Sequence, residues 1–214
     1  MQIEAGVTDD RIEDVNYRSV GELLLRAGVG RRTELRFFAN SLGIRSASGE
    51  PTTHGLEDSK LGLKFALHTA PDSVHGWVPR LALLAASTLP TGAANRSAGK
   101  AQPEAKLAAS WTTAGRFSVY SNFGVGGVYD GNAWGTHGWV STALWLAASP
   151  RVSLFGEGLV VGRIGGTATS ANYLDGGVTY LFGDHVQADV RVGHGLGATA
   201  AHERFIGAGI AWRW

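Results

Sequence analysis

The C-terminal stretch FIGAGIAWRW, residues 205–214, decides the fold. Ile206, Ala208, Ile210, Trp212 and Trp214 alternate there with Gly207, Gly209, Ala211 and Arg213. A period of two marks a β-strand with two unlike faces. An exposed apolar edge strand invites aggregation in a soluble protein. A closed barrel in a bilayer has no edge, and its lipid-facing residues must be apolar.

The same alternation recurs upstream. Val186, Ala188, Val190 and Val192 stand against Gln187, Asp189 and Arg191, and Leu61, Leu63, Phe65 and Leu67 against Lys60, Gly62 and Lys64. Leu174, Val178, Tyr180 and Phe182 alternate with Tyr173, Asp175, Gly177 and Thr179. Such segments predict about twelve strands, near 2–8, 18–28, 32–39, 57–68, 77–88, 103–112, 116–127, 138–148, 151–162, 171–182, 185–194 and 203–213. Only GELLLRAG, residues 21–28, reads equally well as helix or strand. The longest apolar stretch, residues 81–86, is far short of the ~18 residues of a transmembrane helix.

Connections near 28–32, 112–116, 148–151 and 182–185 are tight, and the one at 69–76 is somewhat longer. Those at 9–17, 40–56, 89–102, 128–137, 163–170 and 195–202 are long and polar. Sorting of loops by length predicts an all-β, antiparallel transmembrane barrel with short periplasmic turns and long extracellular loops. Residues 1–214 are expected to form this one domain in the bacterial outer membrane. Ile210, Trp212 and Trp214 on a terminal strand resemble the C-terminal signal by which bacterial barrels are handed to their assembly machinery. Outer-membrane lipid and that machinery are therefore expected partners. MQIEAGVTDD, residues 1–10, has neither the basic start nor the apolar core of a secretory leader, so the leader is expected to be missing from the numbered chain.

Composition fits this reading. The 214 residues include 31 Gly and no Cys, which excludes disulfides, thiolate catalysis and Cys-based zinc sites. A net charge of +1 gives no reason to expect a nucleic-acid partner. Aromatic residues suggest two girdles. Trp77, Trp111, Phe117, Tyr180, Phe182, Trp212 and Trp214 lie near the tight turns. Phe37, Phe38, Tyr129, Trp134, Trp139, Tyr173 and Phe205 lie near the long loops.

If the apolar faces meet lipid, the opposite faces line the lumen. That places Glu22, Arg26, Glu34, Arg36, Asp58, Lys60, Lys64, Arg80, Glu104, Lys106, Glu157, Asp175, Asp189, Arg191 and Arg213 inward, together with Tyr120, Asn122, Tyr173 and Gly177. Acidic and basic residues nearly balance, so the charges can pair between strands or form a selectivity lining for a small-molecule solute. Twelve strands fall between the filled eight-stranded barrels and the open channels of ~16–18 strands, which predicts a narrow passage.

GLEDSKLGLKFAL (55–67), the Leu89-Pro90-Thr91-Gly92 turn followed by Pro103-Glu104, YLFGDHVQADVRVGHGL (180–196) and the terminal strand resemble a family of bacterial outer-membrane transporters. That family takes its name from gene clusters of the meta-cleavage pathway of phenol degradation. The similarity spans about residues 21–214. It implies a β-barrel that admits small hydrophobic or aromatic compounds by passive diffusion, without cofactor. Asp58, Lys60, Glu104, Asp189 and Arg191 fall on its recurrent polar positions, and no role beyond lumen lining carries over.

A soluble lipocalin-like binder would need an apolar interior, whereas here the polar face is the enclosed one; two further rivals stand beside transport. One is a structural or adhesion barrel. The other is a lipid-modifying enzyme, which would need a nucleophile activated by a base. Seven His are present, near strand ends, turns and loops, but no Gly-x-Ser-x-Gly elbow accompanies them. No enzyme activity and no metal are expected: the acidic stretch at Asp9, Asp10, Glu13 and Asp14 lacks EF-hand spacing and reads as a solvated loop. The glycines around His194 precede no helix that could present amides to a phosphate.

Overall fold

The computed structural model describes residues 1–69, 78–113, 115–164 and 170–214. Its fifteen β segments are β1 (Gln2–Ile12), β2 (Val15–Val20), β3 (Leu24–Val29), β4 (Thr33–Phe38), β5 (Leu42–Ala47), β6 (Thr53–Leu56), β7 (Ser59–His68), β8 (Arg80–Leu89), β9 (Gln102–Thr112), β10 (Phe117–Tyr129), β11 (Trp134–Ala147), β12 (Val152–Arg163), β13 (Ser170–Phe182), β14 (Val186–Leu196) and β15 (Glu203–Arg213). All pairings are antiparallel, and β15 returns to β1 in a continuous ladder from Gln2↔Arg213 to Ile12↔Glu203. The sheet therefore closes.

Twelve strands make the wall, because three of them are each two segments: β2 with β3, β4 with β5, and β6 with β7. The interruptions fall at 21–23, 39–41 and 57–58, side by side in the wall. Backbone bonds bridge them. Gly6 O accepts from the amides of Gly21 and Glu22, Leu23 O accepts from Ala39 N, and Ser41 O accepts from Glu57 N. The segment 21–28 that reads two ways in sequence is thus a break followed by a strand.

The interior and exterior are inverted relative to a soluble fold. Leu63, Leu144, Ile210 and Trp212 are each about half exposed, and no large side chain is fully buried among the described residues. Their alternate neighbours, which carry the charges, face inward. That exposed belt is what a bilayer covers, so this is an outer-membrane β-barrel.

Strand ends differ from the sequence expectation at the extracellular side. β1 and β2 meet in a turn at Glu13-Asp14, where Glu13 alone among the described non-glycine residues has positive φ, 53°. β5 and β6 likewise extend into the expected loop at 40–56, and β10 and β11 shorten the expected loop at 128–137 to residues 130–133. Beyond the bilayer both faces of a strand meet water, so the two-residue period fades while backbone pairing continues. The connection at 90–101 remains a loop and packs against β6, with Ala93 N donating to Leu56 O at 2.8 Å and Arg96 Nη2 to Thr53 O at 2.9 Å. Gly92 is required there: a Cβ would stand 2.7 Å from Leu56 O.

Candidate functional site: the barrel interior

Strand pairing places the charged side chains on the inner wall in three groups. The first runs over β1, β3, β4 and β7. Arg26 donates to both oxygens of Glu34 at 3.0 Å and to Glu4 at 2.9 Å. Arg36 Nε lies 3.0 Å from Glu34 Oε1 as an ion pair without hydrogen-bond geometry. Lys64 stands opposite Glu34 in register. In the second group Lys60 donates to Glu104 at 2.9 Å and sits 5.7 Å from the centre of the Phe38 ring, with Lys106 two residues along from Glu104. Arg80 is inward at the near end of β8, opposite Ser110.

The third group is less neutralised. Glu157 and Asp175 face each other directly across β12 and β13. Arg191 and Asp189 follow on β14, with the Arg191 guanidinium 5.5 Å from the Phe205 ring. Tyr173 donates a short hydrogen bond to Glu203. Arg213 is inward by parity but sits exposed at the periplasmic rim.

Two expected lining residues have structural duties. Glu22 accepts from Thr8 at 3.0 Å beside the strand break. Asp58 receives the amides of Gly92 at 2.9 Å and Ala98 at 3.3 Å, which ties the 90–101 loop to the wall. Next to it Glu57, which the sequence reading passed over, accepts from Ser41 at 2.7 Å and Ser19 at 3.1 Å. These bonds pin the three interruptions together.

Beyond Tyr120 and Tyr173, the sequence reading missed most of the aromatic lining. Trp139, Trp145, Phe155, Phe205 and Phe38 share inward parity with the lumen charges. Trp139, Phe205, Phe38 and Tyr173 therefore do not belong to an outer girdle, because nearness to a strand end does not decide which face a ring occupies. Tyr129 and Trp134 do face outward there, with ring centres 5.5 Å apart. At the periplasmic end Phe117, Tyr180, Phe182, Trp212 and Trp214 are exposed on the outer surface; Trp77 lies outside the described residues. Inside, Trp145 stacks on Phe155 with centres 5.0 Å apart and planes 15° apart, and Tyr120 meets Trp145 edge-on at 6.0 Å.

Glycines let these rings lie flat. Phe155 rests over Gly177, its partner in register, where a Cβ would meet the ring at 2.7 Å. Trp139 covers Gly124, and Phe205 covers Gly193, in the same way. A ring laid on a cross-strand glycine shields the backbone without projecting into the lumen. The remaining interior cavity measures about 930 Å³ and is bounded by Glu4, Arg26, Lys60, Trp145, Phe155, Glu157, Asp175 and Arg191 among others. Gly124→Ala is expected to lift Trp139 off the wall and destabilise the barrel by ~1–3 kcal/mol. Gly158→Ala, with open space around its Cβ, should be neutral. Equal unfolding midpoints for the two variants would contradict the packing described.

Comparison with known proteins places this architecture. A family model described as "Putative MetA-pathway of phenol degradation" matches residues 2–214. No curated protein matches the chain. Among solved structures, an outer-membrane channel from Pseudomonas putida F1 superposes with a TM-score of 0.72 at 16% identity, over 99% of this chain and 94% of that one. The KdgM porin, solved with disordered oligogalacturonate, gives 0.61 at 10% identity over 100% and 99%. The translocator domain of the autotransporter NalP from Neisseria meningitidis gives 0.62 at 14% over 100% and 88%. At these identities the likeness is one of fold.

Proposed function

The chain belongs to the MetA-pathway phenol-degradation family, and from that premise we propose that its barrel is a passive channel for small, flat, hydrophobic or aromatic solutes. The observation that carries this reading is the Trp145–Phe155 ring stack, met edge-on by Tyr120, beside Glu157 and Asp175 on the cavity wall. Flat rings offer a stacking surface worth ~0.5–1.5 kcal/mol per contact, weak enough for a solute to move on. Polar substituents of the solute meet the adjacent charges in place of water. We assign no catalytic residues and no cofactor: the wall performs its role by shape and charge.

The Arg26–Glu4–Glu34–Arg36 network favours a second reading, a structural barrel whose interior charges only brace the wall. Single-channel recording separates the two. Glu157→Gln with Asp175→Asn removes the two facing carboxylates and should shift ion preference toward anions, most clearly at low salt where screening is weakest. Val190→Ala on the outer face should leave conductance unchanged. Aromatic solutes should interrupt the current of the wild type, and Trp145→Ala should shorten those interruptions. Absence of any current, or a double variant that conducts as wild type at low salt, would favour the structural barrel.

A further inference from the structure

Strand parity separates the charges of this wall almost completely. Among the described strand residues, the outward-facing Asp, Glu, Lys and Arg are Asp9, Arg11, Arg18 and Arg204, all on β15, β1 and β2. They share the extracellular end. From Trp214 to Arg204, ten residues at ~3.4 Å each and tilted by ~40° rise ~26 Å, close to the ~25 Å apolar band of such barrels. Arg204 therefore stands at the outer lipid boundary, directly above exposed Val192 and Ile206.

The arrangement is only partly compensated. Asp9 is neutralised by Arg18, whose Nη2 lies 2.5 Å away. Arg11 is placed directly opposite Arg204 across the seam, and Arg204 is opposite His194 on β14. Arg11 donates only to a backbone carbonyl, that of Glu13, and Arg204 has no side-chain partner among the described residues. Like charges directly opposite on a sheet repel. A groove of about 630 Å³ runs between them, taking in Asp9, Arg11, Asp14, Asn16, Arg204 and Ile206. It thus combines two guanidinium groups, the carboxylate of Asp14, that of Asp9 already paired with Arg18, and an apolar floor.

We infer that this outward-facing groove docks the phosphate-bearing headgroup of an outer-leaflet glycolipid, with Arg11 and Arg204 gripping phosphate and Ile206 and Val192 meeting the proximal acyl chain. Guanidinium forks match phosphate oxygens bidentately, and an anion between Arg11 and Arg204 removes their mutual repulsion. The position at the bilayer edge selects a lipid over a soluble anion, since only a lipid satisfies the arginines and the apolar floor together.

Native mass spectrometry of the full chain in detergent, titrated with bisphosphorylated lipid A, tests this. Wild type should retain the lipid, and Arg11→Gln with Arg204→Gln should weaken binding by about tenfold or more, as expected for losing charge-assisted bonds. Arg204→Lys should recover part of the loss. The pair Arg116→Gln with Arg151→Gln, on the periplasmic turns, should bind as wild type. Heat-modifiable gel mobility checks that each variant is folded. Wild-type binding by the Arg11/Arg204 variant, an equal loss in the periplasmic pair, or displacement of the lipid by inorganic phosphate at matched concentration would each overturn the assignment.

Discussion

Glu34→Gln is expected to destabilise the barrel by about 3 kcal/mol, the lower end of the ~3–5 kcal/mol cost of breaking a buried ion pair. Glu34 is the hub of the first interior group: it receives Arg26 on both oxygens and balances Arg36, and the three side chains are only 18–24% exposed. Gln keeps the shape but leaves two guanidinium groups close together with only Glu4 between the strands to answer them. Glu104→Gln breaks a single, more exposed pair with Lys60 and should cost about 1 kcal/mol or less. Equilibrium unfolding in urea from lipid vesicles measures both. A cost for Glu34→Gln no larger than that for Glu104→Gln would show that the lumen is too wet for the network to matter. Replacing Arg26, Glu34 and Arg36 together by Met, Leu and Met should recover part of the loss, because the facing guanidinium groups leave with the carboxylate, although Glu4 and Lys64 then lose their partners.

These networks also show what a linear sequence can and cannot reveal. The pairing of Leu61, Leu63 and Phe65 outward with Lys60 and Lys64 inward is legible because two-residue periodicity is a property of one strand. So is closure, since the apolar face of residues 205–214 requires a partner. The interruptions at 21–23, 39–41 and 57–58 are not legible. Each depends on hydrogen bonds from a neighbouring strand, such as those of Gly6 O, that no local pattern encodes. The inward rings were within reach: Trp139 and Trp145 share parity with Ser141 and Ala143, while Val140 and Leu144 occupy the other face. Judging aromatics by distance from a strand end hid that parity. The glycines beneath them carry their meaning only across strands, because Gly177 matters through Phe155 and Gly124 through Trp139.

Val190→Arg tests the other half of the architecture, the lipid face. Val190 is 45% exposed at mid-strand and lies between Val178 and Ala208 in register, with no charge on its side of the wall at that depth. An Arg there must desolvate or drag water into the bilayer, which costs ~2–4 kcal/mol at the midplane. The same residue type at position 194, four residues nearer the extracellular edge on the same face, should cost only ~0–1 kcal/mol. Arg191, adjacent in sequence, is tolerated because its parity turns it into the lumen over Gly207 and the Phe205 ring. Unfolding in vesicles should therefore rank Val190→Arg well below both wild type and His194→Arg. Equal costs at 190 and 194 would mean that the apolar belt does not sit where strand parity and the Trp214-to-Arg204 rise put it, and the glycolipid groove at Arg204 would lose its place at the bilayer edge.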